Sequence, residues 1–320
     1  MLRILITLTL ICAAMSSAHS QTNYPTRSVR IIVPSAPGGG TDISARLIAQ
    51  HLTKVLGQNF YIENRAGAGQ MIGIEAVAHA PPDGYTLLMA ASTLAINPVM
   101  YKKVNYDVLR DLAPITLVAS LPNILVVNAA LPIRSVGDLI AAAKRNPGQL
   151  TYASAGIGTS PHMSMELFKS MGHVDILHLP YKGTAPGITD LMSGTVNIMM
   201  ANMLTVRPHI ESGALRPLAV TGLRRSLVMP NLPTVAESGV SQYEALNWYG
   251  FLAPAATSPS IISKLHAVIL AAIETPEVRE RLIAAGAEPV GDDPRMFSER
   301  IKADLEKWAA TAKTAGITPQ

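Results

Sequence analysis

The 320-residue chain carries a net charge of +4, with 48% hydrophobic, 5% aromatic and 15% charged residues. Its basic residues are scattered rather than clustered, which argues against a nucleic-acid surface, and after the first twenty residues no stretch matches a membrane span. The remaining length suits two domains, and an Ala/Leu/Ile/Val-rich composition is that of layered α/β proteins.

Met1-Leu2-Arg3, the apolar run Ile4–Met15 and the small polar residues to Ser20 have the layout of a signal peptide. Ala18-His19-Ser20 places its cleavage near Ser20, so residues 1–20 are expected to be removed on export to the periplasm. Cys12, the single cysteine, lies inside this segment. The exported chain then has no disulfide and must rest on its core.

Val29–Val33 is a β-branched strand ended by Pro34 and Pro37; Gly38-Gly39-Gly40 allows a turn, and Thr41 and Asp42 start a helix. Such a loop aims unpaired N–H groups and a positive helix end at one place, which suits an anion. The plainer reading is a tight strand-to-helix turn. The glycines fit neither usual phosphate fingerprint, so a carboxylate is the better candidate and no nucleotide cofactor is expected.

Further along, Phe60–Ile62 reads as a strand, Asn64–Gly69 as a second glycine-rich loop and Met71–His79 as a helix. After the turn Pro81-Pro82-Asp83-Gly84, Tyr85–Ala91 is a buried strand followed by Ser92-Thr93. These alternations predict a parallel sheet with helices on both faces. Pro114–Asn128 reads as two strands broken at Leu121-Pro122, and Ser135 with Asp138 has helix-start spacing.

A second series follows: strand Leu150–Ser154, helix Pro161–Met171, strand Asp175–Leu179, helix Thr184–Met192, strand Val196–Met200, helix Leu204–Glu211 and strand Leu215–Val220. Its first loop, Ser154-Ala155-Gly156-Ile157-Gly158-Thr159-Ser160, repeats the opening unit. Two such loops on two sheets predict a cleft closing on one ligand, since ligands of open α/β sheets sit at strand carboxyl ends. Strand Asn247–Ala253 and helices Ser258–Glu274, Glu277–Ala285 and Pro294–Ala315 complete the chain. The helices, lacking a sheet of their own, are expected to return to the first domain. This gives residues 21–120 with 225–320 as one domain and 121–224 as the other.

Catalytic patterns are absent: there is no G-x-S-x-G elbow, and the histidines are isolated, without metal-ligand spacing. Met192, Met199, Met200 and Met203 are expected in the core rather than on a metal.

Arg30–Pro34 with Pro37–Asp42, Glu63–Gly69, Pro82–Thr86, Tyr152–Thr159, Pro180–Gly183, Leu215–Thr221 and Leu232–Glu237 together resemble the receptors of tripartite tricarboxylate transporters, the Bug-type periplasmic solute-binding proteins. The resemblance implies a type II periplasmic-binding-protein fold, two doubly wound βα domains with the ligand cleft between them. It also implies a non-catalytic, monomeric receptor that passes a small carboxylate to membrane transporter subunits or, alternatively, reports it to a sensor protein. A secreted hydrolase is the competing class. Carried across, the ligand-contacting positions are Ser35, Pro37, Gly38, Gly39, Thr41, Asp42 and Ser92 from the first domain. From the second they are Ser154, Gly158, Thr159, His162, Thr184 and Asn202.

Asp42 reads equally as a helix-capping residue that orients its loop, and His162, at a helix start, as a neutral imidazole. Ala201 departs from the family, which often has an acid there. Lys182 is a candidate to neutralise a distal carboxylate. Neither loop contains arginine, so backbone amides, helix starts and the hydroxyls of Thr41, Ser92 and Thr159 are expected to compensate the anion.

Overall fold

β-Branched side chains build a first strand, β1 (Val29–Val33), that is buried except at the half-buried Arg30, and glycine releases the chain into α1 (Gly40–Leu56). The computed structural model describes residues 24–319, residue 182 apart; the signal peptide, its cleavage near Ser20 and Lys182 lie outside the described residues. After α1 come β2 (Phe60–Asn64), α2 (Met71–Ala78), β3 (Thr86–Ala91), α3 (Thr93–Met100), the one-turn α4 (Val108–Asp111) and β4 (Leu112–Asn128). The second series is α5 (Val136–Arg145), β5 (Thr151–Ser154), α6 (Ser160–Gly172), β6 (Leu177–Pro180), α7 (Thr184–Ser193), β7 (Ile198–Asn202), α8 (Met203–Glu211) and β8 (Leu215–Val220). The chain ends with β9 (Leu246–Pro254), α9 (Pro259–Glu274), α10 (Pro276–Ala284), β10 (Glu288–Asp292) and α11 (Pro294–Thr314).

The strands run in the order β2-β1-β3-β9-β4-β7-β5-β6, with β8 and β10 also on β4. The β2-β1-β3 and β6-β5-β7 ladders are parallel, as the alternating pattern predicts, but β9 and β4 join them antiparallel, so the sheet is mixed.

β4 corrects the expectation of two strands. It passes straight through Leu121-Pro122, its first part paired with β9 and β10 and its last with β7 and β8. Pro122, which cannot donate to a ladder, lies opposite Leu246 at the start of β9, and β7 takes over at Asn123. The proline thus stands where partners change, and no break is needed.

Three other elements have no counterpart in the sequence pattern. α3 continues Ser92-Thr93 as a helix despite Pro98, and α4 and β10 lack the length for a readable period. α11 spans both halves: Phe297 and Ile301 pack with Ile32, Leu88 and Trp248, whereas Trp308 and Ala312 pack with Leu139, Met163 and Phe168. Ala95, Ile96 and Met100 of α3 join that second cluster too, together with Val235, Val240 and Tyr243. Met199, Met200 and Met203 are core residues, while Met192 is exposed.

Candidate ligand-binding site

Strand direction fixes where the two glycine loops meet. β1 and β3 run parallel to β4, being separated from it by the antiparallel β9, so their carboxyl ends point along β4 toward its second half. β7, antiparallel to β4, and its parallel neighbour β5 point the opposite way. The two sets of carboxyl ends therefore face each other across the middle of β4. Ala91 ends β3 level with Ala119, through Tyr249, and Asn202 ends β7 level with Asn123. At about 3.3 Å rise per residue, the ends stand about 13 Å apart along the strand.

On the first side, Pro37, Gly38 and Gly39 are exposed and Gly38 takes a left-handed turn (φ +83°). Asp42 is buried in the first turn of α1, where its carboxylate accepts from the Gly38 N–H (2.9 Å), Arg46 Nε (2.9 Å) and Nη2 (3.0 Å), and Asn64 Nδ2 (2.9 Å). Burial alone would raise its pKa, but the bonds from Arg46, Gly38 and Asn64 prevail and hold it below the ordinary aspartate value. Asn64 also donates to the Ser35 carbonyl (3.0 Å), so Asp42 and Asn64 fasten both ends of the loop. Asp42 thus orients the loop, while Gly39 is the residue at the helix cap. The Ser35 hydroxyl is buried without a hydrogen-bond partner among the described residues.

Thr41 hydrogen-bonds the Tyr249 phenol, which lies directly against Gly40. Ser92 is fully buried and donates to Asn247 Oδ1 (2.7 Å), which also accepts from the Trp248 N–H (2.9 Å).

On the second side, Thr159 Oγ1 donates to the Gly156 carbonyl (2.7 Å) and the Gly158 N–H donates to His162 Nδ1 (3.2 Å). A side chain at Gly158 would meet Met100 of α3, so this loop touches an element of the first series. Thr184 opens α7 half-buried, and Asn202 stands half-buried at the end of β7, its carbonyl accepting from Thr205 Oγ1 (2.7 Å). Ala201 is fully buried in an apolar cluster.

The hydroxyls of Thr41, Ser92 and Thr159 therefore each have an internal partner. Local sequence offers no cue to Asn247 and Tyr249, the partners of Ser92 and Thr41, because both lie on the distant β9, whereas Thr159 is held within its own loop by Gly156. What the loops do present is backbone. α1, α3, α6 and α7, which follow β1, β3, β5 and β6, begin without a side-chain cap. By contrast Asp107, Ser135, Thr275 and Asp293 cap α4, α5, α10 and α11; α2 and α9 also lack a side-chain cap. Uncapped first turns leave N–H groups for an anion.

Ser154 and His178 come close enough to resemble a nucleophile and its base, at 2.7 Å. Ser154, however, is fully buried and bonded within its own loop to Gly156, and no carboxylate hydrogen-bonds His178 among the described residues. His178 instead stacks between Tyr152 (4.6 Å) and His162 (4.4 Å). Burial, then the charge of Lys169, pushes His162 down to about 4; burial, then His162, does the same to His178. Both imidazoles are neutral at pH 7. An unfolded histidine titrates near 6.5, so their contribution to stability is complete above that pH and declines as pH falls from about 6.5 to about 4. Urea midpoints at pH 7.5, 5.5 and 4.5 should fall progressively, and less steeply in His178→Asn; equal slopes in both proteins would refute the assignment.

The model of the tripartite tricarboxylate transporter receptor family matches residues 44–317. The chain belongs to that family. This receptor is 38% identical to the protein BugT of Bordetella pertussis over 306 residues, covering 95% of this chain and 94% of that protein. Rpa4515 of R. palustris, solved with adipate, superposes with a TM-score of 0.79 at 38% identity, over 93% of this chain and all of that one. MatC of Rhodopseudomonas palustris, solved with bound malate, gives 0.74 at 29% identity, over 90% and 99% of the two chains. The fold is that of the periplasmic binding proteins, and the receptor is a periplasmic-type solute-binding protein.

Proposed function

We propose that this receptor captures a small organic carboxylate, with dicarboxylates as the leading class, and hands it to transporter subunits in the membrane. The observation that carries this reading is that two oppositely directed sets of strands, each followed by uncapped helices, have carboxyl ends that face each other, those of β3 and β7 standing about 13 Å apart along β4. That span suits a molecule with a charge at each end, and the relatives solved with adipate and malate agree with it.

Charge compensation comes from the N–H groups opening α1, α6 and α7 and from the unpartnered Ser35 hydroxyl, with Pro37, Gly38, Gly39, Thr41, Gly158, Thr159, Thr184 and Asn202 around the anion. Asp42, Ser92, Ser154 and His162 act beneath them, holding the loops. A hydrogen bond to a charged group contributes about 1.5–3 kcal/mol, so several together hold an anion without an arginine. The ligand-binding lobes are residues 21–120 with much of 225–320, and 121–224, with α11 lying across both.

A thermal-shift screen of adipate, malate, matched monocarboxylates and neutral diols tests this reading. A ligand at a hundred times its Kd stabilises by about 2.7 kcal/mol. Dicarboxylates should raise Tm by several degrees and diols should not; a response to the diols alone would defeat the proposal. Small-angle scattering should show a smaller radius of gyration with the bound acid, as the lobes approach about the strands they share. An unchanged radius at saturation would rule out closure on binding.

A further inference from the structure

The recess at the edge of β10 is distinct from the cleft. It has a volume of about 310 Å³ and is lined by Arg224, Arg225, Arg279, Ser120, Leu227 and Val290, among others. Most arginines of the chain are neutralised: Arg27 by Asp83, Arg30 by Glu63, Arg46 by Asp42, Arg207 by Glu211 and Arg300 by Glu244. Arg225 likewise reaches Glu237 (2.9 Å). Arg224 and Arg279 have neither an ion pair nor a side-chain hydrogen bond among the described residues, and both are exposed. Arg134 and Arg145 likewise have no ion pair among the described residues, but they stand singly at the ends of α5, whereas Arg224 and Arg279 share one concavity. The carboxylate lining the recess, Glu288, already accepts from the Leu227 N–H (3.1 Å).

Apolar surface borders the same place. Leu227 and Val290, which line it, are 59% and 39% exposed. Leaving such side chains in water forgoes about 25 cal/mol per Å² that a partner could recover. Unpaired guanidiniums beside exposed aliphatic groups complement carboxylates interspersed with apolar residues. A small inorganic anion would leave the aliphatic rim uncovered.

The recess also draws on both sides of β4. Arg224 and Leu227 follow β8, which pairs with the last part of β4, whereas β10 pairs with the first part, Glu288 opposite Ser120. Its shape therefore depends on how the two halves sit.

We propose that this recess is a docking site for a partner protein presenting an acidic segment with interspersed apolar residues. Carboxylates of that segment meet Arg224 and Arg279, and its apolar side chains cover Leu227 and Val290. The site is independent of which solute the cleft holds.

The test uses a fluorescein-labelled octapeptide of alternating glutamate and leucine as the probe, read by anisotropy with the purified protein. Binding should weaken tenfold or more in the Arg224→Glu, Arg279→Glu double variant and severalfold in Leu227→Ser. It should change less than twofold in the Arg134→Glu, Arg145→Glu control, which removes the same charge elsewhere. If the double reversal fails to fold, Arg224→Gln and Arg279→Gln, at exposed positions, carry the same comparison. Absence of peptide binding to the native protein, or equal weakening in the control, would overturn the proposal. So would binding to phosphatidylglycerol vesicles through these arginines with no peptide binding, since the surface would then meet a membrane.

Discussion

Replacing Asp304 by alanine should cost about 3–5 kcal/mol, the usual consequence of breaking a buried charged pair. Asp304 is 1% exposed, accepts from Trp248 Nε1 and Lys307 Nζ, each at 2.7 Å, and has Arg300 Nε at 3.9 Å. Truncation strands the indole N–H in the interior and leaves two cations around the vacated site. Because Trp248 lies on β9 and Asp304 on α11, the loss loosens the helix that crosses both halves. Chemical unfolding followed by Trp fluorescence gives the measurement. A change below about 1 kcal/mol would show that this network contributes little, as for a surface pair.

The largest effect on binding is expected at Gly40. A Cβ there would lie inside van der Waals contact of the Tyr249 phenol, which must move and lose its bond with Thr41. The same addition at Gly39 meets nothing closer than the Ala36 carbonyl at 3.7 Å, and its φ of −76° suits alanine. Calorimetry with the acid identified in the screen should therefore find Gly39→Ala within about threefold of the native Kd. Gly40→Ala should be at least a hundredfold weaker, a difference of about 2.7 kcal/mol. Tyr249 is buried in the core, so circular dichroism and a urea midpoint, measured alongside, separate lost binding from unfolding. Should Gly40→Ala bind normally, the helix start of α1 does not hold the anion. Asp42→Asn is the companion test: with its acceptor charge lost, the Gly38 turn should loosen and affinity fall about tenfold.

How much of this could be read beforehand follows physical lines. Elements with a clear period or punctuation were legible, such as β1 with its prolines, β8 and the proline-started α9 and α10. The Ser135–Asp138 spacing gave a true cap, Ser135 Oγ accepting from the Asp138 N–H at 3.0 Å. Local rules failed where tertiary contacts override them. Pro122 signals a strand end only if its neighbours need a donor, and the partner change on β4 removes that need. Pro98 signals a break, yet α3 survives around it, packed on α11 and held by Asn97, which donates to the Gly69 carbonyl at 2.9 Å. At the site, the glycine loops were visible because backbone freedom is written in local sequence. The partners that immobilise them were not, because Ser92–Asn247 and Thr41–Tyr249 join residues far apart in the chain.

The place of β9 between β3 and β4 has a consequence for the order of events during biogenesis. Until residues 246–254 are available, β3 and the first part of β4 have no strand between them and expose unpaired edges. A newly made chain of up to about 240 residues therefore cannot complete the first lobe, however stable its local βα units are. Contacts so distant in sequence close slowly. This delay leaves the unfinished lobe with exposed strand edges and in need of protection from aggregation.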